Sequence, residues 1–249
     1  MEILSQFLLR LAFGLAVGMG ITSSRKVSSG FFRNHLYVTL GLTTLAGMVL
    51  SNQLALARGL AFAAAFFSFV GAAAWLYESN RFGKLFVWSV VVFAVAAAVT
   101  DISKTRSTLE LGASHPIAAV TSGLVLGVTF AAMLLGHWYL NAPGMELEPL
   151  RRLLVVAGAA VVIQMFVVGA GLAAEVSHRS SVDVGWLLFV ALRWSFGLFG
   201  VLGLLWMAWQ TLKIPNTQSA TGILYVAVIG VFIGELTGLL LSAESAFPL

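Results

Sequence analysis

Eight apolar stretches, each near bilayer-spanning length and each parted from the next by a short polar connection, leave this chain few ways to fold. They fall at about 5–22, 35–51, 55–77, 84–100, 116–139, 152–174, 186–210 and 220–242, close to the ~17–25 residues that a transmembrane helix needs. A backbone in hydrocarbon must satisfy its own N–H and C=O groups, so stretches of this length are helices. The expected fold is all-α: a polytopic transmembrane helix bundle of about eight spans, residues 1–249 forming a single integral membrane domain without a soluble domain. Composition points the same way. Apolar residues make up 59% of the chain and charged ones 10%, with a mean hydropathy of +0.97, whereas soluble domains are about one quarter charged. The longest polar gap, Asp101 to Ser114, is too short to fold by itself. Neither a basic leader nor a small-residue cleavage site precedes the first stretch, so it is expected to stay as a span.

The sequence has no cysteine, which removes disulfides, thiolate metal sites, iron–sulfur clusters and c-type haem attachment together. A net charge of +4 and a pI near 9.8 belong to the loops of a membrane protein and do not indicate nucleic acid. With the N-terminus outside, inner loops hold eight basic residues, Arg25, Lys26, Arg33, Arg81, Lys84, Arg151, Arg152 and Lys213, against Arg58, Lys104, Arg106 and Arg179 outside. That excess places both termini on the outer side. The expected home is the membrane of a cell, a bacterial cytoplasmic membrane, with lipid as the first partner. Most tyrosines and tryptophans, among them Tyr37, Tyr77, Trp138, Tyr139 and Trp209, fall near the inner edge and read first as an interfacial belt.

Two ionisable residues lie where they are least expected. Arg193 is seven positions in from Trp186 and Glu235 seven back from Ser242, so each sits about 10 Å deep at ~1.5 Å per residue. The turn at Lys213–Ser219 makes their segments antiparallel, and the charges share one depth. An intramembrane ion pair Arg193–Glu235 is expected, either fixing helix register or lining a polar path or holding an anionic or quinone-like ligand. Gly230, Gly234 and Gly238 run beside Glu235, with Gly222 earlier, and let a neighbouring helix approach. Arg10 lies at a depth like that of Arg193, and Gln164 is midway along its span. Gly14 with Gly18 and Gly123 with Gly127 have the GxxxG spacing of close helix packing. The two halves of the chain share no matched motif, although a four-plus-four division near 101–114 fits the span count.

The densest polar sequence is Gly136–Asn141 (GHWYLN), closing the fifth stretch. His137, Trp138 and Tyr139 offer hydrogen bonds and a titratable imidazole at a membrane edge, the requirements of a quinone head group or a partner contact. His35 is expected at the same inner edge. His35 and His137 are also the pair that haem b would use, a less favoured reading because both are terminal in their spans. His115 and His178 form a weaker outer pair. No His or carboxylate pair has metal-ligand spacing on one helix, and no nucleophile or phosphate-loop motif occurs, so the chain is not expected to be catalytic alone.

These readings rank a membrane anchor subunit of a respiratory or photosynthetic electron-transfer complex first, with a quinone site near the inner face. Its partners would be other membrane subunits and a cofactor-bearing soluble or peripheral subunit. A transporter or channel using Arg193 and Glu235 comes next, beside a structural or assembly subunit without its own ligand.

Overall fold

The computed structural model describes residues 2–105, 114–142, 144–179, 183–214 and 216–249. Arg106, Pro143, Pro215 and the Lys104 side chain lie outside the described residues. Those that are described form helices and short connections, with no strand. In chain order the helices are α1 (Glu2–Ile21), α2 (Ser29–Val49), α3 (Ala55–Leu76), α4 (Asn80–Thr105), α5 (Ser114–Asn141), α6 (Glu148–His178), α7 (Val184–Thr211) and α8 (Thr217–Ala243). Where their starts are fixed, polar residues fix them: the Asp183 carboxylate accepts from Gly185 N and Trp186 N, and Asn216 Oδ1 accepts from Ser219 N at 2.9 Å. Pro149 opens α6, where its missing N–H costs nothing.

Seven of these helices are long and apolar enough to cross a membrane. The other, α2, has 21 residues, enough length at ~1.5 Å each. Its polar content separates it, with Arg33, Asn34 and His35 early and Thr39, Thr43 and Thr44 later. Two of the threonines bond to their own helix: Thr39 Oγ1 donates to Leu36 O, and Thr43 Oγ1 to Thr39 O at 2.7 Å. Helices also outrun the apolar stretches at both ends, as in α6, because a helix does not stop where hydrocarbon does.

Helices α1–α4 close a ring in which α1 and α3 each touch α2 and α4, and α5–α8 repeat the arrangement with α5 and α7 against α6 and α8. The rings meet mainly along α1 and α5, with smaller contacts of α1 to α8 and of α4 to α5. That adjacency is compatible with a four-plus-four division. Its invisibility as a sequence repeat is physical, since helix packing asks for small residues and apolar faces, not for identical ones. The central seam joins the two GxxxG pairs: a Cβ on Gly14 would fall within the Gly123 carbonyl, and one on Gly127 within the Gly14 backbone.

Both chain ends lie at one end of the bundle, called here the terminal end, where Glu2, Ile3, Pro248 and Leu249 border the same cavity. At the opposite end the connections are tied to one another. Lys84 Nζ donates to the last carbonyls of α1, those of Met19 and Gly20 and that of Thr22 beyond them, at 2.5–2.9 Å, a cation where the helix dipole favours it. Lys26 Nζ meets Glu146 Oε2 at 2.7 Å and Glu148 Oε2 at 3.4 Å. The hydrogen bond to Glu146 holds the Lys26 ammonium above its ordinary value.

Candidate functional site

The helical segment carrying Arg193 is not regular. Between Val184–Leu192 and Val201–Thr211, the residues Arg193–Gly200 form a π-helix, a wide turn that shifts the hydrogen-bond ladder and occurs often at functional sites. Gly197 in this turn lies so close to α8 that a Cβ on it would be 2.5 Å from Gly234 Cα. The approach brings Arg193 onto α8.

Arg193 and Glu235 meet there. Arg193 Nη2 is 3.6 Å from Glu235 Oε1, an ion pair longer than a hydrogen bond, with both side chains almost wholly buried at 3% and 4% exposure. Arg193 Nη1 donates to Gly234 O at 3.0 Å. Gly238 makes room for the guanidinium, since a Cβ at that position would coincide with it. Arg193 Nε is buried without a hydrogen-bond partner.

Glu235 reaches the other ring through α5, where Ser122 Oγ donates to Glu235 Oε2 at 2.5 Å. Ser122 also receives Arg10 Nη1 from α1 at 3.3 Å. One turn earlier Gln6 Oε1 accepts from Arg10 Nε at 3.2 Å, and Gln6 Nε2 donates to Asp101 Oδ2 of α4 at 2.7 Å. Ser5 Oγ donates to the same Asp101 oxygen at 3.0 Å. A single chain of contacts thus links two arginines and two acids across α4, α1, α5, α8 and α7. Each ring contributes an acid from its fourth helix bonded to its first. Buried charges persist in hydrocarbon when partnered in this way.

This chain borders a cavity of about 100 Å³ at the terminal end, lined among others by Gln6, Arg10, His115, Ala118, Gln164 and Arg193. Thr121 Oγ1 donates to Gln164 Oε1, which fixes the amide beside the cavity. The segment after α8 covers it: Glu175 Oε2 accepts from Ala246 N at 3.0 Å and Phe247 N at 3.3 Å, which brings Pro248 and Leu249 onto its rim. Toward the opposite end the polar residues give way to aromatic packing, with the Phe232 ring 5.2 Å from Phe7 and 5.8 Å from Phe130.

The residues at the opposite end are arranged differently. Consecutive helical positions turn by about 100°, and His137, Trp138 and Tyr139 accordingly face three ways. His137, exposed, has Nδ1 3.2 Å from the Tyr225 hydroxyl. Trp138 Nε1 donates to Ser28 Oγ at 3.0 Å, and its ring lies 6.4 Å from that of His35. Tyr139 donates to Glu146 O at 2.5 Å. His35 is buried with Nδ1 2.5 Å from Phe31 O. The structure therefore brings Trp138 to His35 and leaves His137 on another face. The described residues hold no group of three or more His, Asp or Glu arranged for a metal ion. His178 stacks on Phe247, and His115 lines the terminal cavity.

Sequence reading missed Gln6, Asp101, Ser122 and the π-helix. A signal for the first existed: Gln6 and Arg10 are four apart on α1 and share a face. Asp101 reads as the start of a loop, and Ser122 as an ordinary small residue beside Gly123. Searches against protein-family models, curated proteins and solved structures find no match for this chain.

Proposed function

We propose that this protein is an integral membrane subunit that holds a small ligand bearing acceptor oxygens, quinone-like or anionic, in the terminal-end cavity. The observation that supports this is the cavity lining itself, which gathers the side chains of Arg10, Arg193 and Gln164, a convergence of donors around a small space. The connections are too short to carry a redox or catalytic domain, so chemistry on the ligand falls to partner chains. A respiratory or photosynthetic electron-transfer complex is the setting that suits such an anchor. The transporter reading is weaker, because the polar chain occupies only the terminal half and ends against Phe232, Phe130 and the glycine seam.

Thermal shift of the purified protein with a short-chain quinone and with a small carboxylate tests the site. One of the two raises the melting temperature of the parent and of His137→Ala, and raises neither Arg10→Met nor Ala118→Leu, whose larger side chain fills the cavity. If His137→Ala alone loses the response, the ligand sits at the opposite end and this assignment fails.

With α2 counted as a span, both termini face the outside, as the excess of basic residues at the opposite end supports. A reporter fused after Leu249 is then active only in a format that requires export. Activity of a cytoplasm-only reporter there inverts the orientation.

A further inference from the structure

A second feature lies away from this cavity, on the lipid-facing side of the second ring. Between α6 and α7 runs a groove of about 470 Å³ lined by Val155, Gly158, Leu202, Gly203, Trp206 and Trp209 with two buried leucines behind them. Its depth comes from missing side chains. A Cβ on Gly158 or on Gly203 would meet no atom within 4 Å. Gly158 is ten residues into α6 and Gly203 eight before the end of α7, so the groove reaches about 12–15 Å from the opposite end at ~1.5 Å per residue. Since α6 begins before its apolar stretch does, this reach falls within one leaflet, half of the roughly 30 Å hydrocarbon core.

The groove ends in positive charge. Arg151, half-buried, stands four and seven residues before Val155 and Gly158 on the same face of α6, and exposed Lys213 follows Trp209 by one turn beyond α7, so each wall continues into a cation. Arg151 Nη2 donates to Leu212 O at 2.6 Å and holds the two helix ends together. Trp206, 62% exposed, and Trp209 stand just inside these cations, where indoles favour the interface between hydrocarbon and head groups.

We infer that this groove is a binding site for an anionic phospholipid: one acyl chain lies along Gly158 and Gly203, and the phosphate sits between Arg151 and Lys213. Apolar shape alone would accept any hydrocarbon, and the pair of cations at its mouth is what selects a negative head group. The site is independent of the terminal-end cavity and of any ligand there.

Native mass spectrometry of the delipidated protein, titrated with phosphatidylglycerol or phosphatidylcholine of the same acyl chains, tests it. The parent retains phosphatidylglycerol in preference. Lys213→Gln lowers that affinity roughly fivefold, because each cation at a membrane surface contributes about 1 kcal/mol and ~1.4 kcal/mol is tenfold. Lys213 is exposed, so the variant folds. Gly158→Leu combined with Gly203→Leu fills the groove and removes both lipids. Equal uptake of the two lipids by the parent overturns the proposal, as does undiminished phosphatidylglycerol binding in either variant. So does a second protein chain that cross-links through position 203 and excludes lipid, which would make the groove a helix-docking face.

Discussion

Glu235→Gln and Arg193→Met each lower the stability of the protein by about 3–5 kcal/mol, the usual loss when one member of a buried ion pair is left alone, and the double variant recovers most of it. The geometry makes the losses unequal in origin. Glu235→Gln keeps an oxygen for Ser122 Oγ and nearly the same volume, so its cost is the stranded Arg193 guanidinium, held then only by Gly234 O. Arg193→Met leaves Glu235 facing Ser122 and, through it, Arg10, so the remaining carboxylate keeps one cation within the same network. The glutamate variant is therefore the less stable of the two. In the double variant no unpaired charge remains, and the methionine occupies the space beside Gly238. Thermal unfolding of the four proteins in one detergent gives the coupling directly. Additive losses would mean that the two residues do not interact. A stable double variant that no longer binds the cavity ligand assigns the charges to function as well as to register.

The level of the pair was legible from counting alone, since two antiparallel segments joined by one turn have a common depth scale. What surrounds the pair was not legible. Arg193 and Glu235 stand out because a charge in an apolar run is conspicuous, whereas Ser122, Gln6 and Thr121 are polar residues that any helix tolerates and acquire meaning only through neighbours on other helices. The π-turn at Arg193–Gly200 left no recognisable mark beyond its two glycines, because hydropathy is blind to the hydrogen-bond ladder. The GHWYLN cluster misleads in the opposite sense: three polar rings adjacent in sequence point to three faces of α5, and sequence proximity on a helix separates side chains that a site needs to converge. The bundle itself was legible because length and hydropathy decide spans, while the ring of four repeated twice rests on which small residues oppose which, a pairing no single sequence displays.

That pairing sets the second large effect. Gly127→Ala destabilises the bundle by at least the ~1–3 kcal/mol typical of overpacking, because the atoms it meets belong to the Gly14 and Leu15 backbone and cannot rotate away. Gly14→Ala does the same from the other side, against the Gly123 carbonyl. To admit one methyl group α1 must move off α5, and the Arg10–Ser122 hydrogen bond, already 3.3 Å long, is the first contact to break. The variant thus loses stability and the response to the cavity ligand together, although the substituted residue touches neither charge. Gly222→Ala is the matched control, a helical glycine with open space around it; it is neutral or stabilises by up to about 1 kcal/mol, as alanine does in a helix interior. Unfolding of both variants in detergent decides the matter. Should Gly127→Ala melt with Gly222→Ala, α1 and α5 do not meet backbone to backbone, and the two rings are joined in some other way.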